Sequence, residues 1–243
     1  LDAARTVPRG RGALGRVVPP RAHGQADAPP RPVLAEGAAL APEGGRGGAR
    51  SLRQRGLQAA LDDARAEHAG KRLTLWFRDE ARFGQKGRVC HRWFTRGQRP
   101  PGLCDQRYTW AHLFAAVRPA TGDGFALVLP QVSTAAMNEY LARFAATLAE
   151  GEHAVLVLDR AGWHRAKKLV VPSNVTLVWL PPYSPQLNPV ERVWLFLRER
   201  HLSHRLLDTY DDVVAALCRA WNALTEERLH SLTSYPYLDQ VKI

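Results

Sequence analysis

The sequence predicts a mixed α/β sheet with helices on its faces. Three observations carry this. Short apolar and aromatic strand segments follow one another early in the body of the chain. An amphipathic helix then leads into a segment apolar at both parities, the pattern of a strand buried on both sides. A further helix, a strand and two closing helices complete the alternation.

The elements follow in order. Residues 51–68 carry Leu57, Leu61 and Ala64 at helical spacing. LTLWFRD at 73–79, RVCHRWFT at 88–95 and YTWAHLFAAV at 108–117 read as strands, with Gly97, Pro100, Pro101 and Gly102 as breakers. A Gly122-Asp123-Gly124 turn leads to a strand at 125–130. Ser133 or Thr134 can cap a helix to about Ala149, with Met137, Tyr140, Leu141, Phe144 and Leu148 on one face. The doubly apolar strand is HAVLVLD at 153–159. A short helix near 164–169, a strand at 175–180 and helices near 189–201 and 209–224 follow. Val213, Leu217, Ala220 and Leu224 form one apolar stripe on the last of these.

This body runs from Ser51 to Ile243 and holds all seven Trp, all six Tyr and all seven Phe. Residues 1–50 contain seven Pro, nine Gly and eleven Ala and no aromatic residue. Such a stretch has too few large apolar side chains to offset its ordering entropy, so disorder is expected there. A translation in a shifted frame would read the same way. The first residue is Leu and the only Met is Met137, as in a fragment or a chain with an unusual start.

Lys and Arg number 34 against 23 Asp and Glu, for a formal charge of +11. The excess is not confined to the first segment: residues 71–243 alone carry +7. A polyanion, with nucleic acid foremost, is the partner such a balance favours. No apolar run approaches the ~18 residues of a membrane span, and no secretory signal pattern is present. Cys90, Cys104 and Cys218 are odd in number and form no C-x-x-C, which points to reduced thiols in a cytosolic setting.

Three carboxylates stand in telling places. Asp79 extends the parity of Leu73, Leu75 and Phe77 at the end of one strand, and Asp159 ends the doubly apolar strand. Ligands of such sheets gather at the carboxyl ends of parallel strands. Either Asp also suits a turn or a helix cap. Glu191 follows Asn188 and Pro189 at a helix start. It can complete a capping box with Asn188, or point its carboxylate at the two aspartates. Together the three offer the all-oxygen ligand set that Mg²⁺ prefers, and two such ions can activate a water or a 3′-hydroxyl against a phosphodiester.

The runs WFRDEARFGQKG (76–87), VLVLDRAGWH (155–164) and LPPYSPQLNPVERVW (180–194) resemble the three acidic motifs of mariner-like bacterial insertion-sequence transposases, members of the DDE superfamily of endonucleases. The likeness extends from about residue 52 to 240. It implies a ribonuclease-H-like fold, with residues 51–243 as a DDE catalytic domain. It also implies cleavage of transposon ends and strand transfer into target DNA, with Mg²⁺ or Mn²⁺, two ions, as cofactor. Catalytic and metal-binding residues would be Asp79, Asp159 and Glu191. Double-stranded DNA would be the partner, a homodimer the active form, and the bacterial cytoplasm, at the nucleoid, its location. A nuclease of the same fold that does not join strands, and an inactive DNA-binding remnant, are the rival readings. Two departures stand out: residues 1–50 do not resemble the helix-turn-helix that relatives carry there, and Arg160 occupies a position where small or amide residues are common.

Glu80 points to the sheet face opposite Asp79 and is not counted as a ligand. Arg82, Lys86, Arg88, Lys167 and Lys168 flank the first two acids and suit contacts to DNA phosphates, or a solvated basic face. Trp163 and His164 suit packing or DNA contact. Trp194, Phe196 and Trp221 read as core residues of the closing helices.

Overall fold

The computed structural model describes residues 56–86, 95–97, 105, 107–160, 168–181, 184–203 and 205–242. The expected strand at 88–95 except for Thr95, the helix near 164–169 except for its last two residues, the segment 1–50 and residues 51–55 of the first helix lie outside them.

Helix α1 spans Leu57–Glu67 and buries Leu57, Leu61 and Ala64. Strands β1 (Arg72–Gly84), β2 (Trp110–Arg118) and β3 (Asp123–Leu129) follow. Helix α2 (Thr134–Ala145) is capped by the Ser133 hydroxyl, which accepts from the Ala136 amide at 3.1 Å. Strand β4 (Glu152–Leu158) is buried at all seven positions, as its two-parity apolar run requires. Strand β5 (Val175–Trp179) leads, through a 3₁₀ turn at Pro185–Leu187, to helix α3 (Val190–Phe196). The last turn of α3 widens into a π-helical segment, Leu197–His201. Helix α4 (Tyr210–Asn222) opens with a complete capping box between Thr209 and Asp212. Helix α5 (Glu226–Thr233) follows, and a 3₁₀ turn at Leu238–Gln240 comes last among the described residues. The α5 stripe is too thin to be legible beforehand: only Leu229 and Thr233 are buried.

The five strands form one sheet in the order β3-β2-β1-β4-β5. β1–β2 and β2–β3 are antiparallel, and β1–β4 and β4–β5 are parallel. Helix α2 covers one face, packing Met137, Tyr140, Leu141 and Phe144 on Trp76, Phe114, Phe125 and Leu156. The other face carries α1, α3, α4 and α5, with Trp194 and Trp221 packed near Phe77, Leu113 and Val157. Two large cores thus clamp one mixed sheet, the arrangement of a ribonuclease-H-like fold. Gly122 makes the β2–β3 turn possible twice over. Its φ is +78°, and a Cβ there would fall 2.0 Å from the Glu226 carbonyl oxygen of α5.

One boundary differs in a way that matters. β1 does not end at Asp79 but runs to Gly84, because its antiparallel partner β2 continues the ladder from Phe77 to Gly84 after β4 has stopped. Asp79 therefore lies inside a long strand. α2 also stops four residues before Ala149.

Candidate active site

The site begins with strand register. The last paired residues of the parallel β1–β4 ladder are Phe77 and Val157. Asp79 and Asp159 each lie two residues beyond; Asp79, still within β1, keeps the parity of Phe77 on the face carrying α3, and Asp159 follows directly on the end of β4. Where β4 leaves the sheet, β1 carries Asp79 onward beside β2, opposite Ala115. The expectation that Asp79 sits at a strand terminus is corrected. The end that matters is that of the parallel pairing, not of the strand.

Helix α3 is fastened to this point by two side chains. The Asn188 amide donates to the Arg78 carbonyl at 3.2 Å, and its Oδ1 accepts from the Val190 amide at 3.2 Å. One turn into the helix, Trp194 Nε1 donates to Asp79 Oδ2 at 2.7 Å. Trp194 is the core residue expected, but its indole N–H also serves the site. A buried Trp needs a polar partner, and Asp79 supplies it.

Glu191 is on the exposed N-terminal turn of α3. The capping box with Glu191 does not form: the Asn188 backbone N–H donates to the Pro185 carbonyl at 2.9 Å, and the cap at this end is the Asn188 Oδ1 on the Val190 amide alone. Burial, with repulsion from Glu191 and then Glu80, raises the Asp79 carboxyl to about 7 against the opposing Trp194 hydrogen bond and Arg78. Partial desolvation likewise raises Glu191; Arg198 opposes that rise and Asp159 reinforces it. The repulsion thus links Asp79 to Glu191 and Glu191 to Asp159.

In donor chemistry the three acids fit a hard divalent cation: only oxygens, carrying mutual repulsion that a cation would relieve. Their spacing is open. Among the described residues no group of three or more His, Cys, Asp or Glu side chains is gathered closely enough to hold a metal ion.

On the far face of β1, Arg78 is fully buried, with its guanidinium 4.9 Å from the Phe114 ring centroid and 5.3 Å from that of Tyr140. It pairs with Glu80, so Glu80 is turned away from Asp79 as expected. Sequence reasoning did not find Arg78. An arginine inside an apolar strand was the available signal. Arg160 donates through Nε to the Leu180 carbonyl at 3.1 Å, which draws it toward the end of β5.

Of the basic residues expected at DNA, Arg82 lies over Trp110 at 4.6 Å and Lys86 over Tyr108 at 5.4 Å. Lys168 is exposed at the start of the segment leading to β5. Arg88 and Lys167, like Trp163 and His164, lie outside the described residues. Cys218 is a buried free thiol, pushed up to about 11 by burial, whereas Cys90 and Cys104 lie outside the described residues. No helix among the described residues is long and apolar enough to cross a membrane.

Residues 74–214 match the family described as DDE superfamily endonuclease. An uncharacterised protein of Sinorhizobium fredii is 52% identical over 118 residues, covering 49% of this chain and 87% of the relative. An uncharacterised 39 kDa protein of the insertion element IS630 from Shigella sonnei is 24% identical over 147 residues, covering 59% of this chain and 41% of the relative. Among solved structures, the Mos1 transposase paired-end complex with the left transposon end matches with TM-score 0.52 and 19% identity. That match covers 86% of this chain and 63% of the Mos1 chain. The Mos1 mariner paired-end complex with Mn matches at TM-score 0.52 and 16% identity, covering 84% and 62%. The chain thus spans less than two thirds of the transposase whose fold it shares. With the family matched over residues 74–214, the chain belongs to the DDE superfamily of endonucleases, and its fold is ribonuclease-H-like.

Proposed function

We propose that this chain is the catalytic part of a DNA transposase that cuts transposon ends and transfers the freed strand into a target. The observation that supports the reading is that the parallel β1–β4 pairing ends two residues before both Asp79 and Asp159, with the repulsion of Glu191 felt at Asp79 and that of Asp159 felt at Glu191. The three carboxylates would hold Mg²⁺ or Mn²⁺, two ions in the active complex. Bound there, the metal would supply Lewis-acid stabilisation of the phosphodiester oxygens and an activated nucleophile. The chain's own residues orient the site. Trp194 fixes one Asp79 oxygen, Asn188 fixes the helix that carries Glu191, and Arg198 moderates the negative charge beside it. No protein nucleophile is needed. Water attacks first, and the released DNA hydroxyl attacks the target second.

The partner is double-stranded DNA, both transposon end and target, and the working form is a homodimer on the bacterial nucleoid. The +7 balance of residues 71–243 supports a polyanionic partner.

The experiment compares nicking of DNA bearing the matched terminal repeats, with Mg²⁺ or Mn²⁺, by the wild-type chain and by Asp159→Asn. Metal-dependent nicking lost in the variant supports the reading; equal nicking by both defeats the assignment of roles. Strand transfer, assayed separately, distinguishes a transposase from a nuclease of the same fold. One observation favours an inactive, DNA-binding remnant instead: the open spacing of the acids. Salt-dependent DNA binding with no metal-dependent cleavage would select that reading.

A further inference from the structure

Past Asp79, the β1–β2 ladder extends beyond the rest of the sheet and ends in an exposed aromatic pair. Tyr108 is 63% exposed and Trp110 38%, in a strand whose next residues are otherwise largely buried. Their rings meet edge to face with centroids 6.5 Å apart. Each ring carries a cation: Arg82 over Trp110 at 4.6 Å and Lys86 over Tyr108 at 5.4 Å. Arg82 and Lys86 also border a hollow of about 180 Å³ lined by Phe83 and by Arg198 of the segment that follows α3.

The support is rigid. The Gln85 amide donates to the Thr109 carbonyl at 3.0 Å, and the Gln85 side-chain oxygen accepts from the Thr109 amide at 3.1 Å. Its side-chain nitrogen donates to the Leu207 carbonyl at 2.7 Å. Gly84 lets the strands close: a Cβ there would lie 2.4 Å from the Thr109 oxygen and 2.8 Å from Trp110 Cβ. The aromatic pair is therefore a fixed feature beside the ends of two strands.

Exposed aromatic faces flanked by cations match a nucleotide in both its parts. The rings offer stacking to a base, and the cations offer charge to the adjoining phosphate. A duplex hides its base faces inside its own stack, so only unpaired nucleotides can use the rings. Arg82 and Trp110 share the parity of Arg78 and Glu80, so the cluster lies at the end of the β1–β2 ladder on the sheet face opposite Asp79.

We propose that Tyr108 and Trp110, with Arg82 and Lys86, form a stacking site for unpaired DNA nucleotides at the end of the β1–β2 ladder. The proposal rests on the transposase reading for its biological setting, but its test does not depend on cleavage.

The test measures binding of a labelled oligothymidylate and of a blunt duplex to the full chain by fluorescence anisotropy, in EDTA so that no nicking intervenes. Trp110→Ala is expected to weaken single-strand binding by about tenfold or more, with a much smaller effect on the duplex. Trp110→Phe, which keeps a stacking ring, recovers most of the loss. Arg82→Ala is expected to flatten the salt dependence by about one unit of slope, whereas Trp110→Ala leaves that slope unchanged. Unchanged single-strand affinity in Trp110→Ala, equal weakening for duplex and single strand, or no single-strand binding by the wild-type chain would each overturn the proposal. Loss of metal-dependent nicking in Asp159→Asn is read separately, so failure of one reading is not mistaken for failure of the other.

Discussion

Trp194 Nε1 and Asp79 Oδ2 are 2.7 Å apart, although 115 residues separate them along the chain. The bond ties the helix carrying Glu191 to the strand carrying Asp79. It also pulls down a carboxyl that burial and Glu191 push up. Trp194→Phe removes the donor and leaves a smaller ring in a fully packed position. A loss of about 2–4 kcal/mol is expected from the missing charge-assisted hydrogen bond and the cavity. The Asp79 carboxyl should titrate higher than in the wild type, because the hydrogen bond that lowers it more than Arg78 does is gone. Urea unfolding and carbon-detected NMR titration of the Asp79 carboxyl check the two effects.

Asp79 should make stability depend on pH. The folded carboxyl holds its proton up to about 7, whereas an unfolded aspartate releases it near ~3.9. Between these values the folded state binds more protons, so stability falls as pH rises from about 4 to about 7 and the full cost remains above that. Asp79→Asn keeps an acceptor for Trp194 and removes the charge. In EDTA the variant should match the wild type near pH 4 and exceed it by up to a few kcal/mol, as an upper bound, near pH 8. Chemical denaturation at both pH values reads this. A wild type as stable as the variant at pH 8 contradicts it.

Asn188 holds the start of α3 to the Arg78 carbonyl and accepts from Val190. Asn188→Ala leaves both buried groups without these partners. A loss of about 1–3 kcal/mol is expected, together with weaker metal-dependent nicking, because Glu191 is no longer held in place. Thermal unfolding and the nicking assay measure the two.

Thr209→Ala serves as the contrast. It breaks the capping box of α4, in which the Thr209 hydroxyl accepts from the Asp212 amide at 3.1 Å. Stability should fall by about 1 kcal/mol. Nicking per folded molecule should stay at the wild-type level, since α4 contributes no acid to the site.

The sequence by itself determined which segments could be strands or helices and which acids stood at telling places. Apolar spacing is a local property. The two-parity run of β4, the stripe of Val213, Leu217 and Ala220, and the Ser133 cap could all be read without a fold. α5 escaped because two buried residues make no readable stripe. Only the tertiary structure decided how the acids relate. Asp79 looked terminal because its apolar run stops there, yet the β2 ladder carries the strand five residues further. The capping box looked complete because Asn and Glu have the right spacing, yet a bond to Pro185 had already taken the Asn188 amide. Register, helix docking and competition for a single N–H arise from groups distant in the chain. No local pattern can encode them, because their energy exists only once the sheet has formed.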